Sequence, residues 1–134
     1  MIVILDFGSQ YTQLIARKVR ESNVYCEIHP FSTKWETLSA LKPSGVIFSG
    51  GPSSVYEKGA PKPDKKIFDS GLPIFGICYG LQCIVEHFGG KVQPAKRREY
   101  GPADVTVTAK NPLFADLPKQ LPVWMSHGDA ATRM

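Results

Sequence analysis

The fold is decided by the stretch Pro73-Ile74-Phe75-Gly76-Ile77-Cys78-Tyr79-Gly80. Its first part, Pro73 to Ile77, is an apolar run that predicts a buried strand, and a helix is predicted from Leu81 to Phe88 immediately afterwards. The spacing Gly76-x-Cys78-x-Gly80 matches a nucleophile elbow, in which two glycines permit a sharp turn that presents one reactive side chain. Because the unpaired N–H groups at a helix N-terminus favour a negatively charged sulfur, Cys78 is the candidate nucleophile.

The alternative for Cys78 is a small buried residue at a junction that happens to carry two glycines. A second predicted strand ends in Phe48-Ser49-Gly50-Gly51-Pro52, and its paired glycines would bring a backbone N–H beside the sulfur. Together with the N–H of Tyr79, such a donor would form an oxyanion hole for attack on a carbonyl group. The second pair of glycines therefore favours the nucleophile.

Strands and helices alternate along the chain up to Phe88. Strands are predicted at Ile2–Leu5, Val24–Ile28, Gly45–Ser49 and Pro73–Ile77, with helices over Tyr11–Val19, from the capping box Thr33-x-x-Glu36 to Leu41, and around Asp64–Asp69. This alternation predicts an α/β fold, a doubly wound and mainly parallel sheet with helices on both faces. Ligands of such sheets bind at the carboxyl ends of the strands, which are followed here by Asp6-Phe7-Gly8, by Gly50-Gly51 and by Cys78.

After Gly89-Gly90 the pattern changes to short strands. Two of them, Lys91–Pro94 and Ala103–Thr108, are predicted to pair as a small antiparallel extension, and a further strand, Leu121–Met125, leads to Ser126. A chain of 134 residues with 43% hydrophobic content predicts a single domain.

Composition also bounds the class of protein. Three cysteines without a C-x-x-C pair predict a reducing compartment, the cytoplasm by default, and no zinc site or disulfide framework. The chain has no apolar stretch long enough to span a bilayer, which predicts no membrane partner. A net charge of +4 is scattered over short basic clusters without aromatic context, so we expect solvated faces or a protein-docking surface and no nucleic-acid partner.

Five motifs, in order, resemble those of one family. They are Asp6-Phe7-Gly8-Ser9-Gln10-Tyr11, Ser49-Gly50-Gly51-Pro52-Ser53-Ser54-Val55-Tyr56, Gly76-Ile77-Cys78-Tyr79-Gly80-Leu81-Gln82, Arg98-Glu99-Tyr100-Gly101 and Ser126-His127-Gly128-Asp129. The sequence resembles the class I glutamine amidotransferases over nearly its whole length, and among them the glutaminase domains of GMP synthases. The resemblance implies hydrolysis of L-glutamine to supply ammonia for amination of xanthosine monophosphate. That amination would take place on an ATP-pyrophosphatase (synthetase) domain or subunit, which would hold ATP and magnesium, with no cofactor in this domain.

The resemblance also implies roles for single residues. Cys78 corresponds to the nucleophile, and Gly51 and Tyr79 to the backbone donors of the oxyanion hole. The residues implied in glutamine binding are Gln82, Ser53, Ser126, His127, Gly128 and Asp129. A carboxylate and a turn of N–H groups suit a zwitterion, because the first accepts from its ammonium and the second donate to its carboxylate. Without the family, Gln82 is equally a polar residue on an exposed helix face, and Cys26 and Cys83 are expected in the core.

A cysteine hydrolase needs a base, and the sequence offers His29, His87 and His127. His87 follows Cys78 on the same predicted helix at a distance of about 13 Å along the axis, too far to reach the sulfur. His29 precedes a proline and is expected to cap or to lie on the surface. The residues alone leave His127 as the base, whereas the resemblance implies a later His-Pro-Glu and places His127 in the glutamine pocket. Since no such motif occurs before Met134, we expect residues 1–134 to be a C-terminally incomplete glutaminase domain with little activity of its own.

Two other functions stay open on the sequence. A different elbow-cysteine hydrolase, such as a γ-glutamyl peptide hydrolase, would share Cys78 but not the Arg98-Glu99-Tyr100-Gly101 motif. A truncated and inactive amidotransferase fold would serve as a binding or docking module.

Overall fold

The structure is a computed structural model that describes residues 1–109 and 111–133, without the side chains of residues 96–99, 127 and 133. The described chain forms two compact units. One contains residues 1–93 with residues 131–133, and the other is Pro94–Ala130.

A four-stranded parallel sheet forms the centre of the first unit. Its strands are β1 (Ile2–Asp6), β2 (Cys26–Pro30), β3 (Gly45–Phe48) and β4 (Ile74–Gly76), in the spatial order β2-β1-β3-β4. In the register, Leu5 lies beside Phe48 and Phe48 beside Gly76, so three strands reach their carboxyl ends side by side. The predicted parallel α/β sheet is confirmed, and these three strand ends gather the loops that follow them.

Helices cover both faces of this sheet. The α-helices found in the described residues are α1 (Thr12–Glu21), α2 (Trp35–Ala40) and α3 (Tyr79–His87). On one face Ile4 packs with Ala16 of α1. On the opposite face Leu5 and Phe48 share a core with Leu38 of α2 and Tyr79 of α3. Successive residues of β1 thus point to opposite layers, as the two-residue period of a strand requires.

Two local predictions are wrong in detail. The second strand begins at Cys26, not Val24, because the N–H of Val24 donates to the Val19 carbonyl in the turn that ends α1. Helix α2 begins without the capping box predicted at Thr33, since Lys34 occupies the N-cap and makes no side-chain cap bond.

The start of α2 is instead held by Asp64, a residue distant in sequence. Its Oδ2 accepts from the N–H of Trp35 and its Oδ1 from the N–H of Lys66, where it caps a 3₁₀ helix over Lys65–Ser70. The N–H of Trp35, and then that of Lys66, lower the pKa of Asp64 from its ordinary value. One carboxylate therefore orders the starts of two helices, and the helix predicted around residues 64–69 is a 3₁₀ helix.

The remaining strands form a two-stranded sheet, with β5 over Lys91–Thr106 and β6 over Gln120–Arg133. Thr132 near the end of β6 contacts the carbonyl of Lys91, and Val107 donates to Lys119, so the strands run antiparallel. An antiparallel extension is present, but the predicted pairing of Lys91–Pro94 with Ala103–Thr108 is wrong, because both segments belong to the continuous strand β5, which pairs with β6 instead. A 3₁₀ turn, Pro112–Phe114, lies between β5 and β6.

In the described part of the chain, no helix has both the length and the apolar character needed to cross a bilayer. Among the same residues, no group of three or more His, Cys, Asp or Glu side chains is placed to hold a metal ion.

Candidate active site

Cys78 occupies the turn between β4 and α3. It is the N-cap residue of α3, its side chain is exposed, and its backbone has φ 49° and ψ −110°. A non-glycine residue in such a conformation costs about 1–3 kcal/mol, and this kind of strain is concentrated at functional sites. The elbow predicted from Gly76-x-Cys78-x-Gly80 is present, and it presents the thiol instead of packing it.

Gly76 and Gly80 must be glycines because atoms of other residues lie too close to their α-carbons to leave room for a side chain. A β-carbon on Gly76 would lie 2.5 Å from the Leu81 nitrogen, and one on Gly80 would lie 2.5 Å from the β-carbon of Phe48. Real β-carbons essentially never come that near to another heavy atom. Only glycine therefore allows the strand, the turn and the helix to pack this tightly.

Hydrogen bonds fix the elbow to the end of β3. The N–H of Ile77 donates to the Phe48 carbonyl at 3.0 Å, and that of Gly80 to the Ser49 carbonyl at 3.1 Å. The N–H of Ser49 donates in turn to the Leu5 carbonyl of β1 at 3.0 Å. The position of Cys78 is thus determined by three neighbouring strand ends and not by its own turn alone.

The loop after β3 lies next to Cys78. A β-carbon on Gly50 would be 3.5 Å from the β-carbon of Cys78, and one on Gly51 would be 2.6 Å from the Phe7 carbonyl oxygen. Tyr79 is the first residue of α3, so its N–H has no acceptor within the helix. The structure thus places Gly50 beside Cys78, with Gly51 next in the chain, and the roles of Gly51 and Tyr79 as oxyanion donors stay predictions.

Gln82 is engaged with the loop that follows the paired glycines. The Oε1 of Gln82 accepts from the N–H of Val55 at 3.2 Å. Lys62 Nζ donates to the carbonyl of Val55 at 2.9 Å. Lys62 is also paired with Glu86 on α3. Ser53 is half-buried in this loop, two residues before Val55. Gln82 therefore anchors the loop that contains Ser53, a contact that the sequence did not predict, and its contact with substrate stays a prediction.

Tyr79 is the first residue of α3, and its side chain is buried. Its hydroxyl donates to the Pro61 carbonyl, and burial raises its pKa above the ordinary value. Burial likewise raises the pKa of the neighbouring Cys83 thiol to about 11. Cys26 is buried as well, so the expectation that Cys83 and Cys26 lie in the core is confirmed.

Two of the three histidines can be placed. His87 ends α3, where its ring stacks in parallel on that of Phe68 with the centroids 3.8 Å apart, whereas Cys78 precedes the same helix. His29 was expected to cap or to lie on the surface; it is instead half-buried, with its Nε2 3.1 Å from Glu27 Oε2. The side chain of His127 lies outside the described residues.

The remaining predicted glutamine-binding residues, Ser126, His127, Gly128 and Asp129, are consecutive on β6 in the second unit. The Arg98-Glu99-Tyr100-Gly101 motif lies on β5 in the same unit. Both motifs lie within strands, although Gly101 has a φ of +120°, and the roles of both motifs stay predictions.

Sequence reasoning missed Ser49. It is fully buried, with its hydroxyl bonded to Phe7 and Gly50. The one signal in the sequence is a hydroxyl at the end of the apolar run Gly45–Phe48, immediately before the two glycines.

A parallel α/β sheet with an exposed cysteine at a strand-to-helix turn is the arrangement found in proteins that present a nucleophile at such an elbow. Residues 3–134 match the model of the class-I glutamine amidotransferases, and the chain belongs to that family.

The relatives in sequence are GMP synthases described as glutamine-hydrolysing. The chain is 57% identical to that of Bacillus mycoides over 131 residues, which are 98% of this chain and 26% of the relative. It is 59% identical to that of Listeria monocytogenes over 128 residues, 96% of this chain and 25% of the relative. The chain thus spans about a quarter of the length of these relatives.

Two solved structures share the fold. One is a protein of Thermoplasma acidophilum described as a GMP synthase subunit, with a TM-score of 0.81 and 32% identity over 98% of this chain and 66% of the other. The second is a glutamine amidotransferase of Thermotoga maritima, with a TM-score of 0.70 and 22% identity over 96% of this chain and 60% of the other. The second comparison bears on the fold alone.

Proposed function

We propose that this chain provides the nucleophile and the glutamine-binding residues of a protein that hydrolyses the side-chain amide of L-glutamine and supplies the ammonia for amination of xanthosine monophosphate to GMP. The observation that supports the reaction most directly is the exposed Cys78 at the N-cap of α3, beside Gly50. The 57–59% identity to glutamine-hydrolysing GMP synthases supports the destination of the ammonia. ATP and magnesium would be held by a synthetase domain or subunit, which would be the partner of this chain.

In the proposed reaction, the Cys78 thiol gives its proton to the base, and its sulfur forms a bond to the amide carbon of glutamine, whose carbonyl oxygen becomes an oxyanion. The N–H groups of Gly51 and Tyr79 would donate to this oxyanion. The tetrahedral intermediate then collapses, the carbon–nitrogen bond breaks, and the nitrogen takes up a proton and leaves as ammonia. Water hydrolyses the γ-glutamyl thioester to glutamate and restores the thiol.

We assign recognition of glutamine to Ser53, Gln82, Ser126, His127, Gly128 and Asp129. Asp129 would accept from the ammonium of glutamine. We assign proton transfer to a histidine of a His-Pro-Glu motif, which does not occur in these 134 residues. The three thiols are free, which suits a reducing compartment, and we place the protein in the cytoplasm.

The experiment is glutamine-dependent release of ammonia by the full-length protein, with the Cys78→Ser variant beside it. We expect the variant to lose at least about a thousandfold in kcat, because the nucleophile of the first step is removed. An electrophilic glutamine analogue should modify Cys78, and glutamine should protect it. Peptide mapping supplies the control, since Cys26 and Cys83 are buried and should stay unmodified. A main adduct on Cys83, or labelling of Cys78 that glutamine does not slow, would contradict the proposed function.

A further inference from the structure

Ser49 links the end of β1 to the loop after β3. Its side chain has no solvent exposure, and its Oγ accepts from the N–H of Phe7 at 3.0 Å. The same Oγ lies 2.8 Å from the carbonyl oxygen of Gly50. A hydroxyl has one proton to donate, and the N–H of Phe7 cannot accept, so the proton of Ser49 goes to the Gly50 carbonyl.

The Gly50 carbonyl and the Gly51 N–H belong to one peptide unit. The unit is planar and trans, so its C=O and its N–H point in opposite directions. A hydrogen bond that draws the carbonyl towards Ser49 therefore turns the N–H of Gly51 away from Ser49. Both flanking residues are glycines, whose backbones rotate more freely than those of other residues, so this peptide would not keep one direction by sterics alone.

We propose that Ser49 is a positioning residue, whose hydroxyl orients the Gly50-Gly51 peptide so that the Gly51 N–H is directed at the oxyanion formed on Cys78. This inference rests on the proposed function, because it assigns Ser49 to the oxyanion hole of that reaction. The same residue accepts through its carbonyl from the Gly80 N–H of the elbow. Ser49 thus contacts both the peptide that donates to the oxyanion and the turn that presents the nucleophile.

The test compares two reactions of Cys78 in the full-length Ser49→Ala variant. Alkylation by iodoacetamide is a direct displacement that needs a reactive thiol but no oxyanion hole. The aldehyde analogue of glutamine, glutamate γ-semialdehyde, forms a tetrahedral adduct whose oxygen needs one. We expect the variant to keep its alkylation rate within about twofold, while binding of the aldehyde and kcat for glutamine fall by about 10- to 100-fold, with little change in KM.

A matched control is Thr12→Val. Thr12 is also buried, and its hydroxyl donates to Asp6 Oδ1, at the end of β1, at 2.8 Å. The Thr12→Val variant should lower the stability of the protein by about as much as Ser49→Ala does, and it should leave binding of the aldehyde unchanged. Ser49→Cys keeps a weak donor of similar size and should restore part of kcat.

The outcomes separate the two proposals. If the unmodified protein binds neither glutamine nor the aldehyde at Cys78, the proposed function is wrong. If it binds both and Ser49→Ala binds the aldehyde equally well, the function stands and the inference about Ser49 is wrong. If Ser49→Ala is poorly folded, Ser49→Cys decides, because unchanged binding of the aldehyde with a weakened donor would overturn the inference.

Discussion

The α-carbon of Gly76 packs so closely against the backbone nitrogen of Leu81 that a β-carbon would lie 2.5 Å from it. Both atoms belong to the main chain, so neither can move without shifting the strand or the helix. The elbow is therefore sterically closed to any side chain at Gly76.

The first prediction concerns this contact. Gly76→Ala should destabilise the protein by about 2–4 kcal/mol, because backbone must move to admit the methyl group. Urea unfolding measures the change. Gly89→Ala is the control, since Gly89 has φ +81° but open space around its α-carbon, and it should cost only about 1–2 kcal/mol. Equal losses in the two variants would show that crowding at the elbow is not the cause.

The second prediction concerns the contact between Gln82 and Val55. Gln82→Leu removes the acceptor of the Val55 N–H, and we expect hydrogen exchange of that amide to accelerate about fivefold to tenfold. Gln13→Leu, on the exposed side of α1, is the control and should leave the Val55 amide unchanged. Weaker glutamine binding with no change in exchange would mean that Gln82 acts on the substrate and not on the loop.

The third prediction is a loss of stability at alkaline pH. In the unfolded chain Tyr79 ionises near pH 10, whereas burial keeps it protonated in the folded protein to a higher pH. The Cys83 thiol contributes in the same direction, because burial raises its pKa from an ordinary value near 9 to about 11. Over this window the folded state binds more protons than the unfolded state, so the free energy of unfolding falls as the pH rises from 9 to 11 and beyond.

Tyr79→Phe isolates the phenol contribution. The variant should be less stable than the unmodified protein by about 1 kcal/mol at pH 8, because the hydrogen bond to Pro61 is lost. Above pH 10 this difference should shrink, which urea midpoints at pH 8, 10 and 11 would measure. Tyr11→Phe removes an exposed hydroxyl, and this control variant should be as stable as the unmodified protein at pH 8. A difference that stays constant from pH 8 to 11 would contradict the prediction.

The fourth prediction tests recognition of the amino-acid group of glutamine. Asp129→Asn in the full-length protein should weaken binding by about 2–5 kcal/mol, because the substrate ammonium would lose its charged partner. Calorimetry measures the affinity, and Asp104→Asn, an exposed carboxylate of β5, is the control. Unchanged affinity in Asp129→Asn would place the ammonium site elsewhere.

The fifth prediction concerns the base. The isolated 134-residue polypeptide should release ammonia at least about a thousandfold more slowly than a longer protein that contains a His-Pro-Glu motif, because proton transfer is missing. Ammonia release should be measured for both. Fast turnover by the isolated polypeptide, abolished by His127→Ala, would identify His127 as the base. His87→Ala is the control, because His87 lies at the opposite end of α3 from Cys78 and its ring stacks on that of Phe68.

The sequence by itself determined the parallel α/β sheet, the family and the position of Cys78 at an elbow. These depend on local patterns: apolar runs alternate with helical spacing, and two glycines two residues from a cysteine permit one kind of turn. Errors at this level concern the ends of elements, the cap of α2, the type of the helix at Lys65–Ser70 and the pairing of β5. Thr33 failed as a cap because Asp64, 29 residues from Trp35, accepts the N–H at the start of α2.

Only the tertiary structure decided which side chains support the elbow. The hydroxyl of Ser49 meets the N–H of Phe7 across 42 residues of sequence, and Gln82 meets Val55 across 27. No local period encodes such contacts, because they exist only after β1, β3 and β4 align their carboxyl ends. The strained conformation of Cys78 has the same origin, since it is maintained by hydrogen bonds from neighbouring residues of the elbow to the end of β3.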